Sequence, residues 1–353
     1  MKALVLSGGM GTRLRPLTHS MAKQLVPVAN KPVLVHCLEN IRAIGVSEVG
    51  IIVGDHADEI AAAIGDGSRL GLRITYIRQQ APLGLAHCVA IAEDFLGDDD
   101  FVMYLGDNVL VEGIGDAAES FAARRPAAQI MVTKVLDPRQ YGVAEVGADR
   151  VVRALVEKPR HPRSDLAVIG VYFFTPAIHD AVRAVPPSAR GELEITDAIQ
   201  HLVTGGRPVT AVEYSGYWQD TGKIDGLLEC NRVLLNRVEA EVRGRVDEES
   251  VLDGAVIVEP GATVVRSRLT GPLVVGADTV VQDSRVGPHT SLGAGCTVHG
   301  ADIEDSILLD GAVLDGVRPV RASLIGRGAK VTSPPGTRAH QLVVGDDCRA
   351  VVA

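Results

Sequence analysis

The chain has 353 residues, 46% of them hydrophobic and 22% charged, with a formal net charge of −9. At roughly 100–200 residues per domain this length suggests two domains, each able to bury a real core. The acidic balance excludes general nucleic-acid binding, which needs a basic surface, and no stretch approaches the ~20 apolar residues of a membrane span. Residues 1 to about 244 alternate strand-like and helix-like segments. Ala3–Leu6 reads as a short buried strand running into glycines. Pro32 opens a helical stretch that closes at Gly45. Then follow a strand Val49–Val53, a helix Asp58–Ile64, a strand Ile74–Ile77, a helix Leu85–Phe95 and a strand Phe101–Leu105. This alternation implies a mixed, mostly parallel Rossmann-like α/β sheet with flanking helices. Ligands of such sheets sit at the carboxyl ends of the strands. Ser7–Leu14, Gln79–Ala86 and Gly106–Asn108 fall at such ends.

From Gln129 the pattern is β-rich, with strands expected around Ile130–Val135, Val143–Val146, Val151–Val156 and Val168–Phe174. An amphipathic stretch, Lys223–Arg243, predicts a closing helix. After Gly244 helical periodicity vanishes. Val275, Val281, Val286, Leu292 and Val298 recur about every six positions, with Gly276, Gly287 and Gly293 behind three of them. A hexapeptide period predicts a parallel β-helix of stacked coils, rather than a sandwich with turns about 8–12 residues apart. One step, Val281 to Val286, is five residues instead of six. The expected domains are therefore 1–244 and 245–353. The cysteines Cys37, Cys88, Cys230, Cys296 and Cys348 show no CxxC spacing and read as free thiols of a cytoplasmic protein. The opening MKALVLSGG is too short for a signal peptide.

Four motifs carry chemistry. Gly8-Gly9-Met10-Gly11-Thr12-Arg13-Leu14 follows a strand. Its glycines let backbone approach a polyphosphate, and Arg13 offers a planar donor fork. Arg15, Lys23 and Lys31 add charge nearby. It is neither a dinucleotide fingerprint nor a P-loop. Gly106-Asp107-Asn108 ends the Phe101–Leu105 run, and an aspartate there suits Mg²⁺, which wants one or two carboxylates plus phosphate oxygens. A plain turn is the competing reading. Tyr217-Trp218-Gln219-Asp220-Thr221-Gly222 holds the only tryptophan beside a candidate second magnesium ligand, Asp220. Capping the helix near Lys223 is its alternative role. Glu157-Lys158-Pro159 offers a point charge for a phosphate and an acceptor for sugar hydroxyls. In Gly191–Asp197 the acids suit a helix start, and neighbouring Arg190 is a further phosphate cation.

Together, LSGGMGTRLRPLT, KQLVPV, QQAPLGLA, LGDN, YGV, EKP, RGELEITD and WQDTG, spanning residues 3–222, resemble the sugar nucleotidylyltransferase family. Within it they look most like the long-form glucose-1-phosphate thymidylyltransferases, whose C-terminal domain is a left-handed parallel β-helix. The resemblance implies that Leu6, Gly8, Gly9, Gly11 and Thr12 cradle a nucleotide whose phosphates meet Arg13 and Lys23. It sets Gln24, Gln79, Pro82 and Gly84 around the base. It makes Asp107 and Asp220 Mg²⁺ ligands. It gives the sugar to Tyr141, Gly142, Glu157, Val168 and Tyr172, and its phosphate to Lys158 and Arg190. Leu83 departs from the short enzymes, which usually carry aspartate there.

The implied reaction joins dTTP to glucose 1-phosphate, with pyrophosphate leaving. The implied partners are these small molecules and further copies of the chain, a homo-oligomer, with no nucleic acid and no membrane. The same motifs admit UTP, GTP, ATP or a cyclitol phosphate, and a non-catalytic sugar-phosphate-binding subunit. A β-helix also raises acyl transfer, but His289, His299 and His340 are isolated. Every motif precedes Gly244, so the chemistry is expected to stay assembled without the β-helix.

Overall fold

The computed structural model describes residues 1–333 and 342–351; His340 lies outside them. By contact the chain forms two compact units: Met1–Met10 with Leu34–Gln219, and Gly11–Val33 with the chain from Asp220 onward. A composition break near Gly244 and a packing division at Asp220 are different boundaries, because Gly11–Val33 and the helix Ile224–Leu235 pack with the C-terminal coils.

The first unit is built on a mixed sheet. Its path runs Val152–Glu157, Gly142–Val146, Leu166–Phe174, Phe101–Leu105, Lys2–Ser7, Glu48–Val53, Arg73–Arg78. The last four strands are parallel to one another. Within Lys2–Ser7 and Phe101–Leu105, Ala3–Leu6 and Phe101–Tyr104 are continuous apolar runs buried on both faces, as central parallel strands require. Phe101–Leu105 falls on the expected residues. In Glu48–Val53 the side-chain-free Gly50 admits the Phe95 ring, which a Cβ would meet at 2.8 Å. Leu166–Phe174 bends at Gly170 (φ +78°), where the register with Ala128–Lys134 shifts. This lets one strand pair with Gly142–Val146 through Ala167 and with Phe101–Leu105 through Val171–Phe174. The helix expected over Leu85–Phe95 is two pieces, Leu85–Ile91 and Glu93–Leu96, because Ala92 leaves helical ψ (3°).

The second unit carries the coils. Three stacked sheets, all parallel, run through its coils from Glu241 to Val351, the architecture of a left-handed parallel β-helix. Val275, Val281, Val286, Leu292 and Val298 are all fully buried inside it. The Ser267 hydroxyl accepts from Ser284 N, and the Ser284 hydroxyl from Ala301 N, each 17 residues on. A coil of 17 rather than 18 explains the five-residue step: one side of the triangle is a residue shorter. Gly276 stacks so closely on Gly293 that a Cβ would lie 2.6 Å from its carbonyl carbon. The helix expected over Lys223–Arg243 ends at Leu235. The apolar pattern continues through Val242, but Val242 pairs with Val258 as a coil strand. Among the described residues no helix is long and apolar enough to cross a membrane, and all five cysteines are unpaired.

Candidate active site

In the first unit, the expected motifs gather at the carboxyl ends of the parallel strands. Gly8 follows Ser7, Gly54 follows Val53, Gln79 follows Arg78 and Gly106 follows Leu105. A Cβ on Gly8 would stand 3.0 Å from Gln79 Oε1, so the missing side chain makes room for that amide. Gln79 is itself held: its backbone N–H donates to Val53 O, and Nε2 lies 3.0 Å from His87 Nδ1. Gly84 (φ +106°) allows the Pro82–Gly84 turn to lie on Leu193, whose N–H donates to Leu83 O and whose carbonyl accepts from Ala86 N. A Cβ there would meet Leu193 N at 2.7 Å. Pro82 is exposed and Leu83 is 44% exposed. Leu6 is buried, Gly9 is open, and the buried Ser7 hydroxyl has no partner among the described residues.

Asp107 is half-buried, and Asn108 Nδ2 donates to its Oδ1 at 3.0 Å. Asn108 is buried and accepts from Trp218 Nε1 at 2.7 Å, which ties the tryptophan to the strand end. Trp218 meets the edge of Tyr141, centroids 5.4 Å apart.

Beside it lies a charged cluster. Glu157 accepts from Thr196 Oγ1 at 3.2 Å and stands 3.4 Å from Lys158 Nζ and 3.6 Å from Arg190 Nη2. Arg190 also donates to Glu194 at 2.7 Å. Burial pushes the Glu157 carboxyl above its ordinary range, against the pull of Lys158. Gly142 is flush with the cluster: a Cβ would lie 2.8 Å from Thr196 Cγ2 and 3.3 Å from Glu157 Oε2. Val168 and Tyr172 are buried in the strand behind, Tyr172 stacked on Phe174 at 5.9 Å. Sequence reading missed Glu194, Thr196 and His87. Glu194 and Thr196 lie within the RGELEITD segment, read as a family motif and locally as a helix start with no role for either residue, and His87 reads as one more helical residue.

The second unit holds the rest. Gly11 takes φ +60°, and Thr18 Oγ1 donates to its carbonyl at 2.7 Å, closing the Thr12–Leu14 turn over buried Leu14 and Leu17. A Cβ on Gly11 would meet Lys23 Cβ at 3.0 Å. Thr12 and Arg13 are exposed, with Arg13 Nη2 3.9 Å from Asp220 Oδ2. Asp220 does not cap the following helix; Lys223 occupies that position, and Asp220 Oδ1 accepts from Gly222 N at 2.8 Å instead. Gln24 is buried, and its Oε1 has no partner among the described residues. His289 Nε2 lies 3.0 Å from Asn236 Oδ1, and His299 Nδ1 lies 2.8 Å from Asp315 Oδ1.

Residues 2–237 match the model of the nucleotidyl transferase family. The chain is 57% identical to a glucose-1-phosphate thymidylyltransferase of Streptomyces griseus, covering all of both chains. It is 54% identical to a glucose-1-phosphate thymidylyltransferase of Streptomyces antibioticus, over all of this chain and 99% of the other. A solved structure from Bacillus anthracis, described as a glucose-1-phosphate thymidylyltransferase in complex with sucrose, superposes with TM-score 0.62 at 33% identity, over 68% of this chain and 97% of that one.

Proposed function

Because the chain belongs to the nucleotidyl transferase family, an enzyme of nucleotidyl transfer to a sugar 1-phosphate, we propose that its substrates are dTTP and glucose 1-phosphate and its products dTDP-glucose and pyrophosphate. The observation that carries this reading is the likeness to the two Streptomyces thymidylyltransferases along the whole chain, coils included.

The assignment of residues is part of the proposal. Arg13 and Lys23 hold the nucleotide phosphates, with Gly8, Gly9, Gly11 and Thr12 against them. Gln24, Gln79, Pro82 and Gly84 take the base. Lys158 and Arg190 take the sugar phosphate, and Glu157 accepts from sugar hydroxyls beside Tyr141, Gly142, Val168 and Tyr172. Asp107 and Asp220 are the proposed Mg²⁺ ligands. Among the described residues no three His, Cys, Asp or Glu gather into a metal cage. Mg²⁺ needs no such cage: one or two carboxylates suffice, with phosphate and water supplying the other oxygens. Asp107 and Asp220 are carboxylates, the donor chemistry that Mg²⁺ takes. Once bound, the ion would supply Lewis-acid neutralisation of phosphate charge.

An oxygen of the sugar phosphate attacks the α-phosphorus in line. The new P–O bond forms as the bond to pyrophosphate breaks. The attacking oxygen is already ionised at neutral pH, so no side chain has to remove a proton. The obstacle is bringing two polyanions together, and the cations Arg13, Lys23, Lys158 and Arg190 offset that repulsion by position and charge.

We further propose the catalytic domain as residues 1–244, a cytoplasmic setting for the five free thiols, and a homo-oligomer, to be weighed by light scattering. Pyrophosphate release across a panel of nucleoside triphosphates and sugar 1-phosphates tests the substrates. The highest kcat/KM is expected for dTTP with glucose 1-phosphate, and a clear preference for another pair overturns the assignment.

A further inference from the structure

The segment Gly11–Val33 is tied to the β-helix at two places within the same compact unit. At the first, Asp346 is the hub. Its Oδ2 accepts from Ser20 Oγ at 2.9 Å, and its Oδ1 from Arg327 N at 2.7 Å. Arg327 Nη2 in turn donates to Ser20 O at 3.0 Å. The Asp346 side chain is only 6% exposed. Next to it Gly345 lies flat on Pro16, where a Cβ would come to 3.3 Å.

At the second place the hub is Asn231, 1% exposed. Its Oδ1 accepts from Ala29 N at 2.8 Å and from Ser291 Oγ at 2.7 Å, and its Nδ2 donates to His289 O at 2.9 Å. Beside it Asn30 Nδ2 donates to Leu292 O at 2.6 Å. The segment is also stapled to itself by Thr18 on Gly11 and by the close approach of Gly11 to Lys23. The cations Arg13 and Lys23 therefore ride on a short piece of chain that is anchored at these two places to the β-helix and its adjoining helix.

We propose that the β-helix is a positioning element for nucleotide binding, with Asp346 and Asn231 as its positioning residues. This rests on the reading that Arg13 and Lys23 hold the nucleotide phosphates. It also gives the coils a role that their sequence, remote from every motif, does not suggest. Removing the chain after Gly244 deletes Ser291, Leu292, Arg327 and Asp346 together. The motifs before Gly244 are then not expected to keep nucleotide affinity on their own, contrary to what the sequence implies.

The test uses the full chain with Asp346→Ala, Asn231→Ala and the conservative Asp346→Asn. Val298→Ala is the control, since it hollows the coil core without touching the segment's partners. A misplacement of about an ångström can cost up to ~100-fold, so the anchor variants are expected to raise the nucleotide KM about tenfold or more. The glucose 1-phosphate KM should stay near wild type. Asp346→Asn should recover part of the loss, and Val298→Ala should lower the melting temperature with both KM values unchanged. Ser20→Ala serves if an anchor variant fails to fold. Equal shifts in both KM values, a control that reproduces the nucleotide shift, or an unchanged nucleotide KM would each overturn the proposal.

Hydrogen exchange over 11–25 separates its failure from that of the functional reading. Anchor variants that leave this exchange unchanged refute the anchoring itself. If Arg13→Ala leaves nucleotide KM unchanged while anchor variants speed the exchange, the nucleotide assignment is what fails, and the proposal built on it falls with it.

Discussion

Arg190 Nη2 lies 2.7 Å from Glu194 Oε1, so a cation assigned to the sugar phosphate is already engaged by a carboxylate whose side chain is 5% exposed. Glu194 has a second donor in Ser188 Oγ, at 2.9 Å. Glu192 and Glu157 stand 3.4 and 3.6 Å from the same Nη2, and the Arg190 side chain is still 40% exposed. Arg190→Ala removes the ligand contact and also strips a buried acceptor of a charged donor. The expected result is a glucose 1-phosphate KM raised about tenfold and a stability loss of about 1.5–3 kcal/mol, the range for hydrogen bonds to charged groups. Glu194→Gln keeps an acceptor and should lose less stability while loosening Arg190. Steady-state kinetics with thermal melting check both, and a nucleotide KM that moves instead would reassign Arg190.

Glu157 makes the site sensitive to pH. Its carboxyl is raised above the ordinary 4.5 by burial, with Lys158 opposing, Glu194 adding and Arg190 opposing. Asp197 is raised too, by burial and then Glu194. Above pH 4.5 the unfolded chain releases a proton that the folded chain retains. The stability that this contributes is complete below the unfolded value and is lost as pH rises through the folded one. Glu157→Gln should flatten part of that decline, leaving the share due to Asp197. Urea midpoints measured at successive pH values check this. An identical slope in wild type and variant would place the responsible carboxyl elsewhere.

Asp107→Asn should nearly abolish turnover. The substitution preserves size but removes the negative charge proposed to hold Mg²⁺, next to an Asn108 amide that already donates to it. Loss of a metal ligand should cost several kcal/mol of transition-state stabilisation, on the order of 10³-fold in rate or more. Pyrophosphate release is the measurement, and a rate within about tenfold of wild type would mean that Asp107 is a turn residue.

The strand ends were legible because an apolar run followed by glycine has few other readings: Phe101–Leu105 before Gly106 agrees residue for residue. The coils were legible because Val281, Val286 and Val298 must face one interior. The helix end at Leu235 was not, since Val238 and Val242 extend a helical pattern while Val242 bonds to a strand sixteen residues away. Side-chain partners, near or remote in sequence, were equally hidden. Nothing in Gln79 announces His87, nothing in Asp346 announces Ser20, and Glu194 looks like an ordinary helix-start acid until Arg190 folds onto it. Local chemistry names candidate groups, whereas their orientation comes from tertiary contacts.

The proposed assignment of the base to Gln24 and Gln79 predicts the base choice. Gln24 Oε1 is a buried acceptor without a partner among the described residues, a condition that costs about 1–3 kcal/mol unless a donor reaches it. A pyrimidine such as thymine offers one N–H donor and two carbonyl acceptors, which amides can match from either end. Gln79 is pre-aimed by His87, and Gly8 leaves room for its Oε1. The turn through Pro82 and Gly84 is fixed by its bonds to Leu193, so it cannot easily retreat from a larger base. Leu83, whose side chain points substantially into solvent, leaves this backbone frame unaltered. The expected order is therefore dTTP first, UTP less well used, and purine triphosphates poor. Rejecting an added ring is a steric matter, whereas sensing one methyl group is worth only about 1–3 kcal/mol. Discrimination between dTTP and dUTP should accordingly be modest, and any exclusion of UTP must come from its ribose hydroxyl. Gly8→Ala, which crowds Gln79 by a few tenths of an ångström, should weaken dTTP use more than it weakens glucose 1-phosphate saturation. Values of kcat/KM for dTTP, dUTP, UTP, ATP and GTP decide the matter. A preference for GTP or ATP would overturn the thymidylyl assignment while leaving nucleotidyl transfer in place, and a Gly8→Ala enzyme with unchanged dTTP use would remove Gln79 from the base.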